Sequence, residues 1–219
     1  KFNKSLQSTP NAKPGLSTNS ITALSALEPY DLNFRAKINS LTLKGLPVSG
    51  VIVDLTLMGS NLVFNKLTVK NLAGIRGKIR GNLSELKFTS NSINPLFENF
   101  TIDARGKSLA RLFKLLEIMP PIPPNKIGPV KLTASLNGAP KNLKINANLK
   151  VLNGTINLAG IAKSLDHIPW IDGEVKLRHP DLKTLLRTFD APYHPATKKL
   201  GSVNLSSRLT GSTKGIFLN

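Results

Sequence analysis

From Tyr30 onward, apolar and polar residues alternate with a period of two. Val51, Val53, Leu55 and Leu57 fall on one side of an extended segment, and Asp54 and Thr56 on the other, the signature of a half-buried strand. Ala36-x-Ile38 reads the same way, followed by Leu41-x-Leu43 after a phase slip of the kind a bulge makes, and so do Leu62-x-Phe64 and Leu67-x-Val69. Further on, Val130, Leu132, Ala134 and Leu136 alternate with Lys131, Thr133 and Ser135. A turn over Asn137-Gly138-Ala139-Pro140 leads to Leu143, Ile145, Ala147 and Leu149. Asn153-Gly154, between Leu149-x-Val151 and Ile156-x-Leu158, is the strongest hairpin signal, because Asn-Gly accepts the positive φ angles of a type I′ turn.

Two segments leave this period. Leu109, Leu112, Phe113 and Leu116 follow helical spacing, as do Leu182, Leu185, Leu186 and Phe189, with Pro180 or Asp181 placed to start the second helix. Each helix precedes a Pro-containing loop, MPPIPPN and APYHPATK, which returns the chain to a strand. A shift of seventy-three residues superposes them without a gap: Leu109 on Leu182, Gly128 on Gly201, Val130 on Val203, Leu132 on Leu205 and Gly138 on Gly211. The repeated unit is a helix, a Pro loop, a Gly-x-Val-x-Leu strand and three further strands, starting near residue 109 and again near 182 and truncated at Asn219. Residues 1–28, rich in Ser, Thr, Asn and Pro, read as a flexible leader, and 29–219 as the β-rich domain. The fold class predicted is mainly β: a curved antiparallel sheet, open as a groove or closed as a sandwich, with two short amphipathic helices.

Composition narrows the function. A 40% hydrophobic and 19% charged content and a mean hydropathy of −0.06 fit a folded chain rather than a charged disordered one or a membrane bundle. Thirty Lys and Arg against twelve Asp and Glu give a net charge of +18, which favours polyanionic partners: nucleic acid, anionic lipid or lipopolysaccharide. No cysteine is present, so disulfides, thiolate metal sites and cysteine nucleophiles are excluded. The opening KFNKSLQSTPNAKPG lacks the apolar run of a signal peptide, and the segment reads as a mature or internal piece with no spanning helix.

Catalytic chemistry finds little footing. His167, His179 and His194 have no spacing that aims two imidazoles at one metal, and Asp166-His167 and His179 near Asp181 read as solvated polar neighbours. The run from Gly74 to Gly81, with Arg76, Lys78 and Arg80, has phosphate-loop glycines but no helix after it, so it reads as an exposed basic strand or turn. Nine Phe, two Tyr and one Trp leave few rings for stacking on bases, and Lys and Arg are scattered along the chain rather than gathered in a stripe. The expectation is therefore no enzyme, no cofactor, no metal and no specific nucleic-acid partner.

What remains is the aliphatic face. If the sheet stays open, it offers an acyl chain about 0.8 kcal/mol per methylene buried, and nearby cations add attraction to an anionic membrane surface. The candidate lipid-binding residues are Val51, Val53, Leu55, Leu57, Val130, Leu132, Leu136, Ile145, Leu149, Ile156 and Leu158. Core packing is the competing role for each. At the level of the whole chain, a non-catalytic assembly scaffold that holds envelope proteins is the alternative, and a non-specific basic nucleic-acid binder stands behind it.

The run LNFRAKINSLTLKGLPVSGVIVDLTLMGSNLVFNKLTVKNLAGIRGKIRGNLSEL, together with the helix bearing Leu109, Leu112 and Leu116 and the following IGPVKLTASLNGAPKNLKINANLKVLNGTINLAG, resembles the AsmA-like family of bacterial envelope proteins, relatives of TamB and YhdP. The resemblance covers roughly Pro29 to Asn219 and rests on patterns of aliphatics and glycines. It implies a periplasmic segment, anchored in the inner membrane by a helix absent from this sequence, whose β-groove conducts phospholipid or another envelope lipid and serves outer-membrane assembly. Envelope proteins are further partners it implies. It supplies no catalytic residues.

Overall fold

The computed structural model describes residues 31–218 apart from 87, 90, 91, 94, 118, 121, 164–169, 190–199, 213 and 214. The expected leader, the loop APYHPATK, His167 and His194 lie outside the described residues. The protein is mainly β. One antiparallel sheet takes eleven strands, nearly all in chain order. They are β1 (Leu32–Leu43), β2 (Leu46–Met58), β3 (Asn61–Leu72), β4 (Ile75–Ser84), β7 (Leu96–Gly106), β8 (Val130–Gly138), β9 (Asn142–Val151), β10 (Gly154–Lys163), β11 (Trp170–His179), β12 (Val203–Ser212) and β13 (Gly215–Leu218). A two-stranded side ribbon, β5 (Phe88–Thr89) with β6 (Ser92–Ile93), hangs between β4 and β7. The first and last strands of the large sheet are not paired to each other, so it is unclosed, and no second large sheet packs on it among the described residues. Of the two architectures the alternation allowed, the open one is realised.

Among the described residues three short helices accompany the sheet: α1 (Ala110–Leu116), α2 (Pro124–Ile127) and α3 (Leu182–Thr188). The α1–α2 pair is inserted between the hydrogen-bonded neighbours β7 and β8, and α3 between β11 and β12. Because β7 and β11 stand an even number of strands apart, both insertions leave from the same end of the sheet, here called the helical rim. The β1–β2, β3–β4 and β9–β10 turns share this rim. A Lys44 Nζ to Glu117 Oε1 contact of 3.1 Å ties the first of these turns to the end of α1. β8 begins at Val130 and β12 at Val203, each downstream of a helix.

Local details depart from the sequence reading in instructive ways. In α1 Leu115 is buried, whereas Leu112 and Phe113 are half-buried. The helix is one residue shorter than the spacing suggested, with Leu109 as its N-cap. In α3 it is Asp181, not Pro180, that caps the N-terminus, its carboxylate accepting from the Lys183 amide at 3.1 Å and the Thr184 hydroxyl at 2.6 Å. Among Leu41 and its neighbours no bulge occurs: Ile38 faces Val51 and Leu41 faces Val48 in one unbroken register. The slip from Phe64 to Leu67 is a true irregularity, since Leu55 faces Phe64 while Val53 faces Leu67.

The β9–β10 hairpin forms where Asn153-Gly154 indicated, but its two loop residues are Leu152 and Asn153, at φ 53° and 60°. Gly154 is already the first residue of β10 and pairs with Val151. The glycine is required for another reason: a Cβ there would stand 2.9 Å from the Arg178 carbonyl and 3.0 Å from the His179 ring.

Candidate functional site: an uncovered aliphatic face

The strand register fixes which side chains share a face, because residues directly opposite in an antiparallel pair point the same way. One row runs from Ala36 through Val53, Leu67, Ile79, Ile102, Ala134, Ala147 and Leu158 to Val175, each opposite the next. A parallel row joins Ala104, Leu132, Leu149, Ile156, Leu177 and Leu205. The eleven residues singled out by alternation all lie on this face: Val51 opposite Ile38, Leu55 opposite Phe64, Leu57 opposite Leu62, Val130 opposite Gly106 and Leu136 opposite Ile145, with Val53, Leu132, Leu149, Ile156 and Leu158 in the two rows above.

Nothing among the described residues covers the centre of this face. Leu132, Leu136, Ile145, Leu149, Ile156 and Leu158 are half-buried, screened by their neighbours in the sheet. Among the described residues no large side chain is fully buried. The buried residues instead gather toward the two ends of the strands. Val48, Ile75, Leu115, Ile122, Ile127, Val130 and His179 lie at the helical rim, and Leu86, Phe100, Leu143 and Ala162 toward the opposite one. The aliphatic face therefore behaves as an open apolar surface bounded by two small cores.

Glycines bend it. Gly160 and Gly173 face each other across β10–β11, and a Cβ on Gly160 would fall 2.6 Å from the Gly173 Cα. Side chains of opposite residues ordinarily stand about 4.5–5.5 Å apart, so these two backbones have closed on one another on the aliphatic side. Gly81 acts likewise between Phe64 and Phe100: its Cβ would fall 2.4 Å from the Phe100 Cα.

The opposite face is polar. A hollow of about 690 Å³ crosses it from β4 to β11, floored by Thr101, Thr133, Ser135, Asn146 and Asn148 and flanked by the longer Lys78, Arg80, Glu174 and Lys176. Ile102, Ala134, Ala147 and Leu158 border it with backbone, since their side chains belong to the other face. Most of the residues that line this hollow are polar or charged. The Gly74–Gly81 run forms β4, an interior strand rather than a loop, with Ile75 and Ile79 toward the aliphatic side and exposed Arg76, Lys78 and Arg80 toward the polar one.

On the β11–β12 flank of the polar face, charged groups pair locally. Arg208 clasps Asp172 with two nitrogens at 3.1 and 3.0 Å, and this hydrogen bonding holds the Asp172 carboxyl below its ordinary pKa and raises the guanidinium's. Hydrogen bonds from Lys176 and Ser206 lower Glu174 in the same way. At α3, the Thr184 hydroxyl chiefly, with the Lys183 amide, lowers Asp181.

His179 corrects the sequence reading: it is no solvated loop residue but a buried strand end, 3% exposed. The Asp181 amide donates to its Nδ1 at 3.1 Å, so the proton sits on Nε2, which donates to the Leu152 carbonyl at 2.7 Å. The ring pins the β9–β10 turn to the start of α3, and both of its nitrogens are used. Among the described residues no three metal-ligating side chains gather, and no helix is long and apolar enough to cross a membrane. No family model, curated protein or solved structure matches the chain.

Proposed function

We propose that this chain is a lipid-shielding segment of the AsmA-like type, holding acyl chains of phospholipid or a related envelope lipid along its aliphatic face during transport toward the outer membrane. In this reading it works in the periplasm, on a protein anchored in the inner membrane, and needs neither catalytic residue nor cofactor. The observation that carries it is the uncovered face itself: rows of aliphatic side chains cross up to nine strands without interruption and have no second layer among the described residues. Half-burial of an acyl chain of sixteen carbons on such a surface is worth on the order of 6 kcal/mol. Folding alone does not call for an aliphatic face left open over this width, which ordinarily marks a binding surface.

Native mass spectrometry after incubation with phospholipid vesicles tests this. Retained phospholipid supports the reading. A folded chain that emerges free of lipid overturns it.

An assembly scaffold is the second reading, favoured by the edge of β1, unpaired among the described residues, where Phe34 is 56% exposed. Such an edge is a template for strand addition by a partner. A protein captured along β1, with no lipid retained, would select it.

A further inference from the structure

The strand register assembles what the linear sequence scatters. One residue in from the helical rim, on the polar face, Arg76 stands directly opposite Arg105, Arg105 opposite Lys131, and Lys131 opposite Lys150. Thr155 follows, and opposite Thr155 comes Arg178. At about 4.8 Å per strand the five cations span about 24 Å. All five are exposed. None makes an ion pair among the described residues. Of the carboxylates around it, Glu117 is engaged with Lys44 and Asp181 with the α3 N-terminus, and Asp103, two residues inward of Arg105 on the same face, stands opposite Lys78, so that one carboxylate flanks five cations.

Like charges placed directly opposite weaken a sheet, so this ladder works against folding and needs a counter-charge to offset it. The same rim carries exposed Arg111 and Lys114 on α1, together with two exposed apolar side chains, Met119 at 96% and Phe189 at 53%. A line of cations beside protruding apolar groups matches an anionic bilayer, which offers phosphates at its surface and hydrocarbon just below. A nucleic acid would want several rings within reach of the ladder, whereas this rim offers one exposed ring among the described residues, Phe189, and the polar-face aromatics Trp170 and Phe217 lie toward the opposite rim.

We propose that the ladder of Arg76, Arg105, Lys131, Lys150 and Arg178 binds the phosphates of an anionic bilayer and seats the helical rim on it. This stands on the register of cations and is independent of what the aliphatic face carries. The test is co-sedimentation of the chain with phosphatidylcholine vesicles containing about 30 mol% phosphatidylglycerol, beside pure phosphatidylcholine vesicles. The chain is expected to bind the former only. Arg105→Gln with Lys131→Gln and Lys150→Gln should weaken that binding about a hundredfold, at roughly fivefold per cation. The charge-matched set Lys37→Gln, Lys66→Gln and Lys144→Gln, away from the ladder, should weaken it by less than about tenfold.

Thermal melting separates binding from folding, because relief of repulsion should leave the ladder variant at least as stable as the parent. Equal losses from both sets, equal binding to both vesicles, or a ladder variant that melts lower than the parent would overturn the proposal. So would tighter binding to single-stranded DNA than to the anionic vesicles at about 0.15 M salt.

Discussion

Phe64 and Phe100 meet edge to face, their ring centroids 5.4 Å apart, although β4 runs between their strands. The contact exists because the intervening residue is Gly81, opposite Phe64 and closed against the Phe100 backbone. Phe97 adds a second edge-to-face contact to Phe100 at 5.3 Å. Gly81 also sits at φ 135°, where side chains are strained. Gly81→Ala is therefore expected to cost about 2–4 kcal/mol through wedging and strain together. Phe64→Leu, which removes one edge-to-face contact, should cost about 1 kcal/mol. Urea unfolding midpoints check both, and equal effects would contradict this account.

His179 and Gly154 form a second large-against-small pair. His179→Ala leaves the Leu152 carbonyl and the Asp181 amide without their partner, and a loss of about 2–3 kcal/mol is expected. Leu152→Asn should act in the opposite direction. It relieves a leucine held at positive φ while leaving the carbonyl that His179 uses, for a gain of about 0.5–1 kcal/mol. The hydrogen bonds also assign the neutral ring's proton to Nε2, which nitrogen NMR reports directly.

Acid should loosen one flank of the sheet first. Asp172, Glu174 and Asp181 all have pKa values depressed by hydrogen bonds in the folded protein. A carboxylate with a depressed folded pKa contributes stability that is fully present above its unfolded value and is lost as pH falls through the folded one. Amide exchange in β11, β12 and α3 should therefore quicken below about pH 4. Asp181→Asn keeps a capping oxygen without the titration and should remove α3's share of that pH dependence.

Much of this architecture was legible because alternation reports which side of a strand each residue takes. Val51 to Leu57 and Val130 to Leu158 needed nothing more to be placed on one face. Alternation is silent on register, however. Arg105 and Lys131 are separated in sequence by two helices, and only the pairing of β7 with β8 sets them opposite each other. That is why cations that look scattered along the chain form a line in the fold. The turn at Leu152-Asn153 was displaced by one residue from the Asn-Gly signal for a comparable reason. The demand on Gly154 comes from His179, a contact made across β10–β11 and invisible to local turn chemistry. Leu115 falls outside the helical spacing of Leu109, Leu112, Phe113 and Leu116, and a helix of seven residues at a rim need not bury a regular stripe.

The two faces of β8 offer an internal control. Leu132 and Thr133 are adjacent, both half-buried, and point to opposite sides. Leu132→Asp should abolish retention of phospholipid while the chain keeps its sheet signal in circular dichroism. Thr133→Asp should leave retention unchanged. Equal loss of lipid from both variants, with folding intact, would count against an aliphatic-face site.

The most direct measurement uses a phospholipid carrying a diazirine near the end of its acyl chain, photolysed on the chain and mapped by peptide mass spectrometry. Adducts should concentrate on aliphatic-face residues such as Val53, Leu132, Leu149, Ile156 and Leu158. Adducts confined to the polar face around Thr133 and Asn146, or none on a chain shown to be folded, would contradict the claim that this open face is where acyl chains lie.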